Sequence, residues 1–296
     1  ERRRLAFLPA LLLMTGGALA LPGPTDGLER VRSSDGTLIA VECAGSGPSL
    51  VIVHGGIGDH TRWTPMFPLL SPHFTVCAMD RRGHGVSGDA PPHALAREAE
   101  DVAAVVDSRP GPVFLLGHSY GGVAALEAAF LTKNIVSLIL YEPPLQDRID
   151  LGVVGRIETL LQADQRAQAV TLFLREVVRL PEGEVEAMRS RPSWSTFLAG
   201  IGSQPRELRA LAAYRFEPKR MSAVRMPALL LTGSDTASPY LKEATSSLQA
   251  SLPHPTLVVL KGQQHNAMDS DRPQLADAIM RFLLKPGSEN RERQPR

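Results

Sequence analysis

The sequence predicts an α/β fold in which helices cover a mostly parallel β-sheet. From about Leu28, short apolar runs rich in β-branched residues alternate with longer amphipathic stretches, which is the pattern of parallel strands joined by helices. Most of these runs are apolar at nearly every position, as expected of strands whose two faces are both buried. The alternation stops after Pro144, and residues 145–226 show helical periodicity without a strand candidate.

The first strand candidate, residues 37–43, alternates in polarity and places Ile39, Val41 and Cys43 on one face. This alternation indicates a half-exposed strand near an edge of the sheet. The other candidates are nearly continuous apolar runs, and we predict central strands for all of them: residues 50–53, 74–79, 113–116, 136–140, 228–231 and 256–260.

Local capping residues mark the helices between these strands. Residues 94–106 carry apolar side chains at helical spacing. Ser238 and Pro239 supply an N-cap and a first-turn proline, and Asp271 and Pro273 open the last helix in the same way.

Helix-period segments broken by proline and glycine fill residues 145–223, which we predict to be a helical lid inserted into a single core. The core comprises residues 28–144 and 224–286. The polar tail, residues 287–296, is predicted to be disordered.

Three arginines followed by an apolar run open the chain, and the run contains Ala18-Leu19-Ala20 near its end. This order is typical of a signal peptide, and the run is shorter than the ~20 residues that a membrane span needs. The chain starts with Glu1, however, and Met14 is an equally good initiator. We interpret residues 1–27 as a signal peptide or a disordered segment, and expect export if residues 1–20 are a genuine signal and a cytoplasmic location otherwise.

The composition excludes several classes of function. The 296 residues carry 32 Lys and Arg against 31 Asp and Glu, so no excess positive charge attracts nucleic acid. Two cysteines, Cys43 and Cys77, are too few for a disulfide-rich scaffold or a zinc site with four Cys ligands. No H-E-x-x-H, C-x-x-C or P-loop motif occurs, so we expect no metal, no cofactor and no nucleic-acid partner.

The strongest motif is Gly117-His118-Ser119-Tyr120-Gly121, a G-x-S-x-G sequence between an apolar strand and a predicted helix. A strand-to-helix turn this tight forces a strained backbone at Ser119 and leaves no room for a Cβ at positions 117 and 121. The turn lifts the serine hydroxyl clear of the sheet and points the N–H groups of the helix N-terminus at a developing oxyanion. We therefore predict Ser119 as a nucleophile in a nucleophile elbow.

A serine nucleophile needs a base and a third group that orients the base. His265 follows the strand of residues 256–260 and lies at the carboxyl edge of the sheet, where Ser119 also emerges. We predict His265 as the general base and Asp235, which follows another buried strand, as the orienting acid. Glu142 is the alternative acid. A purely structural role for Glu142, as a buried polar group bound by backbone N–H groups, is also consistent with its position.

An oxyanion hole needs two N–H donors, and His54-Gly55-Gly56 follows a further buried strand. Gly55 and Gly56 allow the backbone to approach a substrate closely. We predict the N–H groups of Gly56 and Tyr120 as the donors, and His54 as a structural residue that holds the loop by hydrogen bonds.

Together these motifs resemble the α/β-hydrolase fold superfamily, and specifically its esterase- and lipase-like members. The segment Asp80-Arg81-Arg82-Gly83-His84-Gly85 looks like the family's loop after its fourth strand, and the helical insertion stands where the family carries a lid. The resemblance covers about residues 28–285. It implies an eight-stranded, mostly parallel sheet and a catalytic triad of Ser119, Asp235 and His265.

The family's strand order would also bring the strands of Cys43 and Cys77 side by side. We nevertheless expect free thiols, because neighbouring strands inside a sheet rarely meet disulfide geometry. Burial as small hydrophobic side chains is enough to explain both cysteines.

The sequence as a whole predicts a serine hydrolase that cleaves a small-molecule carboxylic ester through an acyl-enzyme. The same site acting on a thioester, amide, lactone, C–C bond or peracid is the first alternative. A non-catalytic binding module on this fold is the second, and the triad argues against it. The motifs leave the natural ester and the oligomeric state open.

Overall fold

The computed structural model describes residues 27–145 and 149–284, which build an eight-stranded β-sheet flanked by helices. The strands are β1 Glu29–Arg32, β2 Leu38–Ala44, β3 Ser49–Val53, β4 Thr75–Met79, β5 Val113–His118, β6 Ile135–Tyr141, β7 Ala228–Gly233 and β8 Pro255–Leu260. Their order across the sheet is β1-β2-β4-β3-β5-β6-β7-β8. β2 is antiparallel to both of its neighbours and all other pairs are parallel, which confirms the predicted fold class.

The helices connect the strands and lie on both faces of the sheet. They are α1 Phe67–Leu70, α2 Leu95–Asp107, α3 Tyr120–Ala128, α4 Leu151–Gln162, α5 Arg166–Leu172, α6 Glu182–Arg189, α7 Ser193–Gly200, α8 Gln204–Ala213, α9 Pro239–Ser251, α10 Ala267–Ser270 and α11 Arg272–Leu283. None of the helices in the described part of the chain is long and apolar enough to cross a membrane. The predicted signal segment and the predicted disordered tail lie outside the described residues.

Two apolar layers sandwich the sheet because successive side chains of a strand point to opposite faces. In β3, Val51 and Val53 face the layer formed with α2, α3 and α9, whereas Leu50 and Ile52 face the layer formed with α1 and α11. All four side chains are fully buried. The continuous apolar runs of the sequence therefore reflect burial on both faces, as predicted for the central strands.

β8 departs from the predictions. Residues 256–260 were expected to form a central strand, but β8 pairs with β7 at one end of the sheet order. Leu257 and Val259 remain 36% and 53% exposed. An apolar run indicates a strand without indicating how many neighbours it has, so the central assignment of β8 was wrong.

The segment between β6 and β7 contains helices α4 to α8 and an intervening π-helical turn, Phe173–Val177. We call this segment the helical insertion. Its helices enclose an apolar cluster of their own, which includes Val154, Val170, Met188 and Phe197 and receives Ile57 from the loop after β3. The insertion is thus a packed layer of its own, attached to the edge of the sheet where the parallel strands end.

Cys43 and Cys77 form a disulfide, so the expectation of free thiols was wrong. The two residues stand directly opposite each other on the antiparallel strands β2 and β4, with their Cα atoms 4.1 Å apart. Directly opposed residues of an antiparallel pair place their side chains on the same face and close together. The expectation failed because it considered neighbouring strands in general, and the register that aligns the two cysteines emerges only from the assembled sheet.

We expect the disulfide to contribute about 3–4 kcal/mol to the free energy of unfolding, because it closes a loop with a sequence separation of 34 residues in the unfolded chain. Urea unfolding of the wild type and of a Cys43→Ala/Cys77→Ala variant measures this difference. Reduced wild-type protein is the matched control, since no atom of the core is removed, and it should unfold like the variant. Two titratable thiols in unfolded, unreduced protein would contradict the disulfide.

Candidate active site

Ser119 occupies the tight turn between β5 and α3. Its backbone has φ 53° and ψ −126°, a region that costs a non-glycine residue about 1–3 kcal/mol. The Ser119 N–H donates to the carbonyl of Tyr141, 2.9 Å away, which ties the turn to the end of β6. The side chain is half-buried, at the carboxyl edge of the sheet. The strained turn predicted from the G-x-S-x-G motif is therefore present.

The glycines on both sides of Ser119 allow this turn to pack. A Cβ on Gly117 would lie 2.6 Å from the carbonyl oxygen of Gly121, and a Cβ on Gly121 would lie 2.6 Å from that of Val53. Both distances are far shorter than any normal carbon–oxygen contact. The absence of side chains at these two positions lets α3 approach the end of β3 and the loop that follows it.

That loop, His54-Gly55-Gly56, lies against the serine. An ideal Cβ on Gly55 would be 3.0 Å from Ser119 Cβ and 3.0 Å from His118 Nδ1. His54 is buried, and its Nε2 accepts the N–H of Arg81 at 3.1 Å, so Nδ1 carries the proton and donates to the Gly55 carbonyl at 2.7 Å. Burial holds the pKa of His54 well below its usual range. A neutral His54 thus holds the loop by the kind of hydrogen bonds predicted for it.

His265 follows β8 and is 5% exposed. The fully buried carboxylate of Glu142, which directly follows β6, accepts from His265 Nδ1 at 2.7 Å. Glu142 has a positive φ of 46°, outside the extended conformation of the strand that precedes it. With Nδ1 engaged, Nε2 is the nitrogen of His265 left to accept a proton.

The second oxygen of Glu142 is held by three donors. Oε1 accepts from Thr232 Oγ1 at 2.7 Å, from Gly233 N–H at 2.9 Å and from Thr236 Oγ1 at 2.5 Å. Burial acts to raise the pKa of Glu142, but its hydrogen bond with His265, the His265 charge and the donors on Oε1 outweigh it, so the pKa lies below its ordinary value. Glu142 is therefore an ionised carboxylate at neutral pH.

Asp235 is not the acid that contacts His265, contrary to the preferred assignment from the sequence. Its side chain is exposed, its Oδ1 accepts from Ser234 Oγ at 2.7 Å, and its N–H donates to the carbonyl of Gln263 at 2.9 Å. Asp235 and Glu142 both follow buried strands on the same edge of the sheet, so strand position alone could not separate them. The signal that favours Glu142 is its place directly after a long apolar strand, where a carboxylate is buried and must find donors.

His118 and Tyr141 support the loop that carries His265. His118 Nε2 donates to the His265 carbonyl at 2.9 Å, and the two imidazole rings are 4.7 Å apart between centroids. The Tyr141 hydroxyl donates to the Gln264 carbonyl and accepts the N–H of Ala267 at 3.1 Å. Because His118 contacts Gly55 on one side and His265 on the other, the structure brings the serine, the His-Gly-Gly loop and the histidine loop together.

A buried ion network that the sequence did not predict lies beneath the His-Gly-Gly loop. Arg81, 1% exposed, donates to Glu98 at 2.8 Å and to both carboxylate oxygens of Glu207 at 3.1 Å. The same guanidinium donates to the Gly55 carbonyl at 3.3 Å and lies 4.5 Å from the centroid of the Tyr120 ring. Glu207 belongs to α8, so this network links both predicted oxyanion segments to the helical insertion.

Gln204, the first residue of α8, extends this link to Gly56. Its Nε2 donates to Glu207 at 2.6 Å, and its Oε1 lies 2.9 Å from the position of an ideal Cβ on Gly56. The insertion therefore reaches the loop predicted to supply an oxyanion donor.

One group of side chains in the described residues has the spacing of a metal site: Asp59, His60 and Asp80. The buried Asp80 carboxylate already accepts from the N–H and Nδ1 of His60, at 2.7 and 2.8 Å, and from the N–H of Val86 at 2.9 Å. Asp59 accepts the N–H of Thr61 at 2.9 Å as a helix cap. These hydrogen bonds account for the group, and we assign no metal to it.

Comparison with known proteins places this geometry in context. Residues 50–278 match the model of the alpha/beta hydrolase family. The chain is 35% identical to the pimeloyl-[acyl-carrier protein] methyl ester esterase of Xylella fastidiosa, over 82% of this chain and 98% of that protein. An alpha/beta hydrolase from Sphaerobacter thermophilus has a crystal structure that matches with a TM-score of 0.74 and 34% identity, over 85% of this chain and 100% of the other.

Other relatives are matched over a shorter region. The chain is 32% identical to the probable oxidoreductase EphD of Mycobacterium tuberculosis over 155 residues, which are 49% of this chain and span only 26% of that protein's length. The region matched by the family model includes the elbow of Ser119 and the loop of His265. The chain therefore belongs to the alpha/beta hydrolase family.

Proposed function

We propose that this protein is a serine hydrolase that cleaves a carboxylic ester through an acyl-enzyme intermediate. The observation that carries the proposal is the hydrogen bond of the ionised carboxylate of Glu142 to His265 Nδ1, in a loop that His118 of the Ser119 elbow contacts. A histidine held in this way has the tautomer and orientation of a general base. The similarity to a methyl ester esterase over nearly that protein's full length supports an ester as the bond that is cleaved.

In the proposed reaction, Ser119 Oγ attacks the ester carbonyl while His265 Nε2 accepts the hydroxyl proton. The N–H groups of Tyr120 and Gly56 bind the oxyanion of the tetrahedral intermediate. When the intermediate collapses, the C–O bond to the alcohol breaks and His265 returns the proton to the leaving oxygen. Water then attacks the acyl-enzyme by the same steps, which releases the carboxylic acid and restores Ser119.

We propose Glu142, in place of Asp235, as the acid of the triad. Its task is to keep the proton on His265 Nδ1 and to stabilise the imidazolium that forms during attack. Three hydrogen bonds to Oε1 hold the carboxylate in one orientation, so Oε2 stays directed at His265. Asp235 carries no such contact with the histidine, because its carboxylate accepts from Ser234.

We also propose that the helical insertion acts as the lid of the site and shapes the substrate pocket. Gln204 and Glu207 place its helix α8 against Gly56 and Arg81. Of the aromatic side chains in the insertion, Phe173 and Phe197 belong to its own buried core, and Trp194 packs on that core. Substrate selection by the insertion then depends on the side chains that face the core, such as Gln204 beside Gly56.

A Ser119→Ala variant should lose ester hydrolysis and labelling by a fluorophosphonate, because both reactions proceed through a covalent bond to the proposed nucleophile. Hydrolysis of p-nitrophenyl acetate and mass mapping of the labelled peptide measure both effects. Ser234→Ala is the matched control, since Ser234 is exposed on the same edge of the sheet, and it should label normally. An adduct at a different serine would overturn the assignment of the nucleophile.

A Glu142→Gln variant should lower kcat on the order of 10³- to 10⁴-fold at neutral pH, because a neutral amide no longer selects the correct histidine tautomer. Partial recovery is expected at high pH. Steady-state kinetics with p-nitrophenyl acetate give the loss, and circular dichroism reports whether the fold is kept.

Asp235→Asn is the control for this experiment, and its kcat should stay within about tenfold of the wild type. The opposite pattern, a large loss for Asp235→Asn and a small one for Glu142→Gln, would return the role of the acid to Asp235. Labelling of Ser119 by the fluorophosphonate would still test the nucleophile independently.

A further inference from the structure

The loop that carries Gly56, a predicted oxyanion donor, is in contact with the helical insertion. An ideal Cβ on Gly56 would lie 2.9 Å from Gln204 Oε1, 3.2 Å from its Nε2 and 3.3 Å from its Cδ. These three atoms are the nearest neighbours of that position. The amide group of Gln204 therefore packs directly against Gly56, in the space where a side chain on residue 56 would project.

The orientation of this amide is fixed by the buried ion network. Gln204 is 2% exposed, and its Nε2 donates to Glu207 Oε2 at 2.6 Å. Glu207 is paired with Arg81, so it is an ionised carboxylate, which only accepts hydrogen bonds. Nε2 must therefore point towards Glu207, and this leaves Oε1 as the amide atom nearest to the Cβ position of residue 56.

The next residue of the loop, Ile57, is also held by the insertion. Its φ of 51° is a strained conformation for a β-branched residue. Its side chain is buried in the apolar cluster of the insertion, and a Cβ on Gly200 of α7 would lie only 2.6 Å from its carbonyl oxygen. Strained backbone persists where the surrounding structure imposes it. The conformation of the loop at residues 56 and 57 therefore depends on contacts with the insertion.

The N–H of Gly56 is available for a substrate. Among the residues that the structure describes, no atom accepts a hydrogen bond from it, and Gly56 is half-buried. Tyr120, the other predicted donor, is the first residue of α3, where an N–H has no acceptor in its own helix. Both N–H groups can thus bind the oxyanion of the proposed function, on which this inference rests.

We propose that Gln204 is a positioning residue for the oxyanion hole. It acts through Gly56: its amide, fixed by Glu207, keeps the loop in the conformation that presents the Gly56 N–H to the oxyanion. The insertion then completes the catalytic machinery in addition to shaping the substrate pocket. An N–H donor stabilises a developing oxyanion only from the correct position, so the loss of Gln204 slows the reaction more than it weakens substrate binding.

The test is a Gln204→Leu variant, which keeps a side chain of similar size and removes the amide. Outright loss of an oxyanion donor lowers kcat about 10²- to 10³-fold, and a displaced donor costs less, so kcat should fall about ten- to a hundredfold. KM should change by less than about threefold, because the interaction is made in the transition state. Steady-state kinetics with p-nitrophenyl acetate measure both constants, and thermal melting reports whether the fold is kept.

A double variant restores the missing contact from the other side. The backbone of Gly56 lies outside the left-handed region, so the Gln204 amide is the obstacle to a side chain there. In Gly56→Ala/Gln204→Ala, the methyl group of residue 56 fills the space that the amide leaves, and kcat should be about tenfold higher than in Gln204→Ala alone, as for coupled neighbours. A double variant no more active than Gln204→Ala would overturn the proposal.

Gln168→Leu is the matched control, because Gln168 is an exposed glutamine of the same insertion, and its kcat should equal that of the wild type. If Gln204→Leu has an unchanged kcat, or if its whole loss lies in KM, the inference fails and the esterase stands. A loss of kcat that disappears when the assay is cooled well below the melting temperature would show an effect on folding alone and also overturn the inference. If the wild type cleaves no ester and Ser119 is not labelled, the esterase proposal and the inference both fail.

Discussion

The charge of Arg81 is the constraint on which the arrangement of the site depends. A guanidinium that is 1% exposed must be paired, and removing one partner of a buried pair costs about 3–5 kcal/mol. One partner, Glu98, comes from the core, and the other, Glu207, comes from the helical insertion. Burial acts to raise the pKa of Glu207, but Arg81 and the adjacent His84 hold it well below its ordinary range. The insertion is therefore bound to the core at the point where Arg81 also contacts Gly55 and the ring of Tyr120.

The parts of the site that could be predicted from the sequence are those that depend on neighbouring residues in the chain. The elbow of Ser119 is a contiguous strand, turn and helix, and its two glycines are required by contacts within a few residues or with the adjacent strand. His265 could be placed because it follows a strand and so lies at the carboxyl edge of the sheet. For both residues, the order of elements along the chain was enough to indicate their position.

The features that could not be predicted depend on which strands become neighbours and how their residues align. The disulfide needs Cys43 and Cys77 to stand in register across two antiparallel strands, and no local pattern specifies that register. The exposure of Val259 follows from the position of β8 at the edge of the sheet. The choice between Glu142 and Asp235 depends on the direction of two side chains from adjacent strand ends, which a one-dimensional pattern does not contain.

Although Asp235 does not contact His265, the end of β7 and the segment after it hold the carboxylate of Glu142 in place. Thr232, Gly233 and Thr236 supply the three donors that hold Glu142 Oε1, so one strand end provides the carboxylate and the next provides its hydrogen bonds. Thr232 and Thr236 stand on either side of Asp235 in the sequence, but their hydroxyl groups donate to Glu142, the buried acceptor at the end of the neighbouring strand. Where two acids follow adjacent strands, hydroxyl donors beside one of them therefore favour the other as the buried partner of the histidine.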